Sequence, residues 1–155
     1  MKIFSKNELN NYQLSLTYDD ISLVPTDISR IKSRAEANTK VKFLDKDFTL
    51  PVISSPMDSV TGIEMAEALT DLGCLGILNR FNMTLEEFAA RQNQSQKVKA
   101  VSISLAADEN SIAKLTEQVD IICIDTANAN NLSVLKKCEE VKNKFNVKVI
   151  VGNIA

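Results

Sequence analysis

Side chains able to bind or react recur along this chain at one kind of place, the carboxyl end of an apolar, β-branched run. Ser54, Ser55, Met57 and Asp58 close PVISS, Asn79 and Arg80 follow CLGIL, and Ser102 and Ser104 lie late in VKAVSISL. Asp125, Thr126 and Asn128 end DIICIDTA, and Asn153 ends VKVIVG. Hydroxyls, amides, a carboxylate, a guanidinium and a thioether are groups that hold a polar small molecule. Parallel α/β folds bind their ligands at the carboxyl ends of strands. The competing explanation is that positions near loops are polar in any soluble protein.

Other chemistries are excluded by what is absent. The chain has 155 residues and no histidine, which removes histidine triads, histidine metal sites and histidine proton shuttles. The cysteines are Cys74, Cys123 and Cys138, odd in number and without metal spacing, as in a reducing cytoplasm. Cys74 precedes an apolar run, Cys123 is inside another and Cys138 lies on a helix face, where a small buried side chain is the simpler role than a nucleophile. Lys and Arg total 18 against 20 acidic residues, a net charge of −2, and no basic block is present, so nucleic acid is not the expected partner. No apolar run is long enough to span a membrane, and MKIFSKNELNNYQ lacks a signal-peptide core.

The elements that must position these groups alternate. Residues 1–49 form a mixed lead-in, within which VKF and DFTL can pair as a hairpin. From Leu50 onward the runs PVISS, CLGIL, VKAVSISL, DIICIDTA and VKVIVGNIA read as strands. Between them lie the helical stretches IEMAEALTDLG, MTLEEFAARQNQ, DENSIAKLTEQ and NNLSVLKKCEEVKNKF. Gly73 sits where a helix carboxyl cap belongs, and Thr84 with Glu87 forms a capping-box pattern. Continuously apolar strands fit a parallel sheet covered on both faces, so the class is α/β. Periodicity alone leaves open whether the sheet is flat or closed.

Six segments in order resemble the IMP dehydrogenase/GMP reductase family: LTYDDISLVP, KSRAEANTKV, LPVISSPMDSVT, LGCLGILNRFNMTLEE, DIICIDTANANN and VIVGNIA. The resemblance implies a partial TIM (β/α)8 barrel over residues 50–155, supplying the first five strands, with no regulatory insert domain. It implies a purine-nucleotide oxidoreductase. The main reading is IMP dehydrogenase, because SSPMD is similar to that branch. The alternative is GMP reductase, toward which LNRFN and the missing insert point. Ser55 and Met57 match positions that contact the purine nucleotide, a hydroxyl suiting a ribose or phosphate edge and a thioether a flat base. Asp125, Thr126 and Ala127 match the segment for the NAD or NADP cofactor, and Asn153 an asparagine near the nicotinamide.

Asp58 belongs to the same motif but can equally cap the following helix. Two departures bear on the cofactor side. Ala129 stands where the family often has a glycine, adding a Cβ where positive φ is expected, and Asn79 replaces a frequent histidine. The family's catalytic cysteine lies on a loop that matches none of this chain's cysteines and falls beyond Ala155, so the chain alone is expected to be inactive. The resemblance further implies a homo-oligomer, a tetramer in the family. A truncated or split product acting as a binding or assembly module through open strand edges is the alternative of another class.

Overall fold

The computed structural model describes residues 17–25 and 27–154. The start of the LTYDDISLVP segment and the MKIFSKNELNNYQ stretch lie outside the described residues, as does Ala155. Two compact units divide at Ala37 and Asn38. In the first, short 3₁₀ turns span Tyr18–Asp20 and Arg34–Glu36. Thr17 donates its N–H and its hydroxyl to the Asp20 carboxylate, at 2.8 and 2.9 Å.

The second unit opens with the antiparallel hairpin of β1 (Val41–Phe43) and β2 (Lys46–Phe48), as VKF and DFTL suggested. Its two-residue turn, Leu44–Asp45, has positive φ at both positions, which matches the twist of the flanking strands. There follow α1 (Ile63–Asp71), β3 (Ile77–Leu78), α2 (Leu85–Ser95), β4 (Ala100–Ile103), α3 (Glu109–Thr116), β5 (Ile121–Asp125), α4 (Leu132–Lys144) and β6 (Lys148–Gly152). Strands β3, β4, β5 and β6 form a parallel sheet in chain order. The α/β class and the parallel sheet are therefore as the residues indicate.

PVISS is less regular than its composition promised. It contributes one parallel bridge, Ile53 to Leu75. Pro51 and Pro56 bracket it without N–H donors. The Ile77 N–H goes to the Ser54 hydroxyl, at 3.3 Å, where a longer ladder would have used a backbone carbonyl. This first strand is thus reduced to an anchor beside β3.

Both faces of the sheet are buried, which explains the continuous apolar runs. Leu78, Val101, Ile103, Ile122 and Ile124 pack against the helices through Ala66, Phe88, Ile112, Leu115, Val134 and Val141. The opposite face presents Leu75, Ile77, Ala100, Ile121 and Cys123, covered by Leu44 and Phe48 of the hairpin. Lys46 reaches Asp120 at 2.8 Å and Lys148 reaches Asp45 at 2.6 Å, so the hairpin is tied to the amino-terminal ends of β5 and β6. Gly73, at φ +70°, ends α1 while the Cys74 N–H returns to the Leu69 carbonyl, the cap expected there. The capping box at α2 is also present: the Glu87 N–H donates to Thr84 Oγ1 and the Thr84 N–H to Glu87 Oε2.

Helices α1 and α2 are joined by a pair that the sequence pattern did not single out. Glu67 accepts from Arg91 Nε and Nη2 at 2.9 and 2.6 Å, and from the Ser95 hydroxyl at 2.8 Å. These bonds, Arg91's foremost, hold the Glu67 carboxyl at about 2, well below its ordinary 4.5, against the opposing effect of burial. Because the folded value is the lower one, the stabilisation is complete above pH 4.5 and drains away as pH falls toward 2. The Arg91 side chain is 43% exposed, so solvent screens the pair, and its worth is about 1–2 kcal/mol. Glu67→Gln is expected to lose that amount near neutral pH in urea unfolding and to flatten the acid limb of the stability curve. An acid limb identical to that of the parent would contradict the assignment.

Candidate functional site

The polar strand ends are tied to one another before any ligand is considered. After Ser55 the chain turns through Met57 to Thr61, which is fully buried. Thr61 Oγ1 donates to the Ser55 carbonyl at 2.6 Å, and the Thr61 N–H to the Met57 carbonyl at 2.9 Å. The Ser55 and Met57 side chains are exposed. Asp58 does not cap α1, whose N-cap is Gly62. Its carboxylate accepts from the Ser59 N–H, and its carbonyl from Asn82 Nδ2.

Asn79, at the end of β3, is 2% exposed. Its amide donates to the Thr61 carbonyl at 2.9 Å, and its Oδ1 accepts from the N–H groups of Phe81 and Asn82. The residue that looked like a departure on the cofactor side is therefore the knot between the loop at 55–61 and the loop at 80–82. Thr61, its partner, ends the LPVISSPMDSVT segment, but nothing in that segment singled it out. Its role depends on two loops meeting in space.

Arg80 spans the next gap. Its guanidinium lies 4.0 Å over the Phe81 ring, and Nη2 stands 3.7 Å from Asp125 Oδ2 at the end of β5. At that separation the contact is an ion pair without a hydrogen bond. Asp125 is opposite Gly152 in the β5–β6 register. Thr126 donates its N–H and its hydroxyl to the Gly152 carbonyl, at 2.7 and 3.0 Å, and accepts from the Asn153 N–H at 2.7 Å. Ala127 is exposed beside them.

Asp125, Thr126, Ala127 and Asn153 thus come together at one strand end. Ser55 and Met57 are held at another, and among the described residues no hydrogen bond or ion pair joins the two groups. Ala129 is buried and makes its N–H bond to the Asn153 carbonyl at 2.7 Å. It is not among the positive-φ residues, so the backbone conformation expected from a family glycine is absent there. Asn131 caps α4 through the Ser133 N–H, and Asn128 closes a local turn onto the Asn130 N–H.

The thiols are placed for packing. Cys74 and Cys123 are buried and Cys138 is half-buried against the helix core. Burial, with the Asp125 charge second, pushes the Cys123 thiol up to about 11, so it stays protonated near neutral pH. Among the described residues no cluster of acidic or thiol side chains can hold a metal ion, and no helix is long and apolar enough to cross a membrane.

Comparison with known proteins bears directly on this arrangement. Residues 15–155 match the model of the IMP dehydrogenase / GMP reductase domain. The chain is 32% identical over 150 residues to a GMP reductase of Streptococcus gordonii, covering 94% of this chain and 45% of that protein. It is 30% identical over 152 residues to a GMP reductase of Lactococcus lactis subsp. cremoris, covering 94% and 46%. A GMP reductase of Staphylococcus epidermidis is 32% identical over 146 residues, covering 88% and 44%. The chain therefore spans about half the length of these relatives. With a family match running through every strand end described above, the chain belongs to the IMP dehydrogenase/GMP reductase family.

Proposed function

We propose that the chain is the front part of a nicotinamide-dependent purine-nucleotide oxidoreductase of the GMP reductase kind, which reduces GMP with NADPH and releases ammonia to give IMP. The observation that carries this reading is that relatives from three genera, each 30–32% identical across most of the chain, are GMP reductases. Ser55 and Met57 hold the nucleotide, the hydroxyl at its sugar or phosphate edge and the thioether against the base.

The donor set at β5 and β6 suits a nicotinamide cofactor. Asp125 offers acceptors for ribose hydroxyls, and the exposed Asn153 amide can pair with a carboxamide. Thr126, whose hydroxyl is already given to Gly152, keeps the two strand ends together. Ala127 provides an open backbone beside them. When bound, the cofactor supplies or takes the hydride. The parallel sheet in chain order, with helices on one face and the hairpin under the other, supports a (β/α)8 barrel. Two buried free thiols support a reducing, cytoplasmic setting, and the family resemblance supports a homo-oligomer.

A second reading keeps IMP and NAD as the pair, because SSPMD is similar to the dehydrogenase branch. A chimera decides between them: this chain replaces the front of the Streptococcus gordonii enzyme, and nicotinamide absorbance is followed. GMP-dependent oxidation of NADPH is expected. IMP-dependent reduction of NAD would establish the dehydrogenase instead, and neither activity would sink both. The 155-residue chain alone is expected to turn over neither pair, since its cysteines are packed as structural thiols; measurable turnover by it would show a nucleophile among the residues described above.

A further inference from the structure

The loop that carries Ser55 and Met57 is held from beneath by a single residue. Thr61 has no exposed surface, and its N–H, its hydroxyl and its carbonyl are all engaged. The hydroxyl donates to the Ser55 carbonyl at 2.6 Å and the N–H to the Met57 carbonyl at 2.9 Å. The carbonyl accepts from Asn79 twice, from the backbone N–H at 3.1 Å and from Nδ2 at 2.9 Å. Thr61 therefore bonds on one side to the loop and on the other to the residue that follows β3, a strand of the parallel sheet.

The loop closes around that anchor with bonds of its own. The Met57 N–H reaches the Ser55 carbonyl at 2.9 Å, and the Val60 N–H reaches the Met57 carbonyl at 3.1 Å. Asn82 Nδ2 holds the Asp58 carbonyl at 3.0 Å, and Pro56 fixes φ between the two outward residues. The backbone is thus occupied and the outward side chains are not. Among the described residues the Ser55 hydroxyl has no hydrogen-bond partner, and Met57 is 52% exposed. A loop fixed in this way before a ligand arrives loses little further freedom on binding it.

We propose that Thr61 is a positioning residue for the purine nucleotide, acting only through the backbones of Ser55 and Met57. The proposal rests on the reading above that those two side chains hold the nucleotide. Thr61 itself, with no exposed surface, touches no ligand. Its bonds end at Ser55, Met57 and Asn79, whereas Thr126 and Asn153 are fixed through each other and Gly152. Loss of the Thr61 hydroxyl therefore weakens nucleotide binding and leaves the cofactor end as it is.

Three substitutions separate the hydroxyl from the volume it occupies: Thr61→Val keeps the shape without it, Thr61→Ala loses both, and Thr61→Ser keeps it. In the 155-residue chain, amide hydrogen exchange at positions 57 and 61 should quicken severalfold in the valine and alanine variants. Exchange along Ile121–Ile124 of β5 should stay at the parent rate, which also shows that each variant is folded. In the chimera with the Streptococcus gordonii enzyme, KM is measured for whichever nucleotide is consumed, GMP or IMP. It is expected to rise about tenfold in the valine and alanine variants, as for one lost buried hydrogen bond, and to stay within about twofold in Thr61→Ser. The KM for the nicotinamide cofactor should move less than about twofold in all three. Equal loosening of β5, an unchanged nucleotide KM in both valine and alanine variants, a serine variant as impaired as alanine, a parallel rise in cofactor KM, or a loss confined to kcat would each overturn the positioning role. A parent chimera inert toward both nucleotides would instead overturn the reading beneath it, and the proposal with it.

Discussion

Gly76→Ala is expected to destabilise the unit beginning at Asn38 by about 3 kcal/mol, the upper range for forcing an extra carbon into a packed core. A Cβ at Gly76 would fall 2.5 Å from the Ala66 Cα and 2.9 Å from the Ala66 carbonyl oxygen. Both are backbone atoms of α1, so no side-chain rotation relieves the clash, and Ala66 itself has no exposed surface into which to move. The helix must lift from β3. Urea unfolding of Gly76→Ala beside Gly62→Ala gives the comparison, since a Cβ at Gly62 meets nothing within 4 Å. The Gly62 variant should lose about 1 kcal/mol or less, as an N-cap substitution. Adding Ala66→Gly to Gly76→Ala should recover little, because the two nearest obstacles persist without the Ala66 methyl. Full recovery would mean that the close approach of α1 to β3 is not set by backbone.

The second large effect is expected at Gln92. This side chain of α2 is 2% exposed. Its Nε2 donates to the carbonyls of Val98 and Gln118, at 2.9 and 2.7 Å, and its Oε1 accepts from the Val98 N–H at 3.1 Å. One amide therefore serves the entry to β4 and the exit of α3. Gln92→Leu keeps similar volume and leaves three backbone groups without this partner, two at buried Val98 and one at half-buried Gln118. At about 1–3 kcal/mol for each unsatisfied group, partly relieved by water entry, a loss of about 3–4 kcal/mol is expected. Gln92→Glu tests the cause, because it retains the acceptor for Val98 N–H but sets a carboxylate against two carbonyls; it should be no better than leucine near neutral pH. A stability within 1 kcal/mol of the parent for Gln92→Leu would show that the bonds are readily replaced by solvent.

These two sites mark where sequence reasoning stops. The order of strands and helices was legible because apolar runs and helical spacing act locally, and caps such as Thr84–Glu87 and Gly73 are local as well. Gln92 sits in the polar run RQNQSQ and resembles a solvated helix face; only the passage of Val98 and Gln118 beneath it makes it core. PVISS looked like an interior strand because its residue types suit one, yet its flanking prolines and the Ser54 hydroxyl replace ladder bonds.

At the candidate site, motif resemblance located Asp125, Thr126, Ala127 and Asn153, and the β5–β6 register explains why residues nearly thirty positions apart meet. The Arg80–Asp125 pair and the Asn79–Thr61 knot were not legible. The first joins the ends of strands that are not sequence neighbours and the second two loops eighteen positions apart, and no spacing rule encodes either meeting.

The hairpin at Val41–Phe48 is made of near neighbours, but what it rests on is made much later in the chain. Leu44 and Phe48 need Ile121 and Cys123 beneath them, and Asp45 finds its cation 103 residues onward, at Lys148. During synthesis from the amino terminus, the apolar side of this hairpin emerges first and waits until the fourth sheet strand has left the ribosome. Sealing that end of the sheet is therefore a late event, governed by contacts of long sequence separation, which form slowly. In the interval, the nascent chain presents an uncovered greasy surface of the sort that chaperones hold, and the time until residue 148 is translated sets how long it must be held.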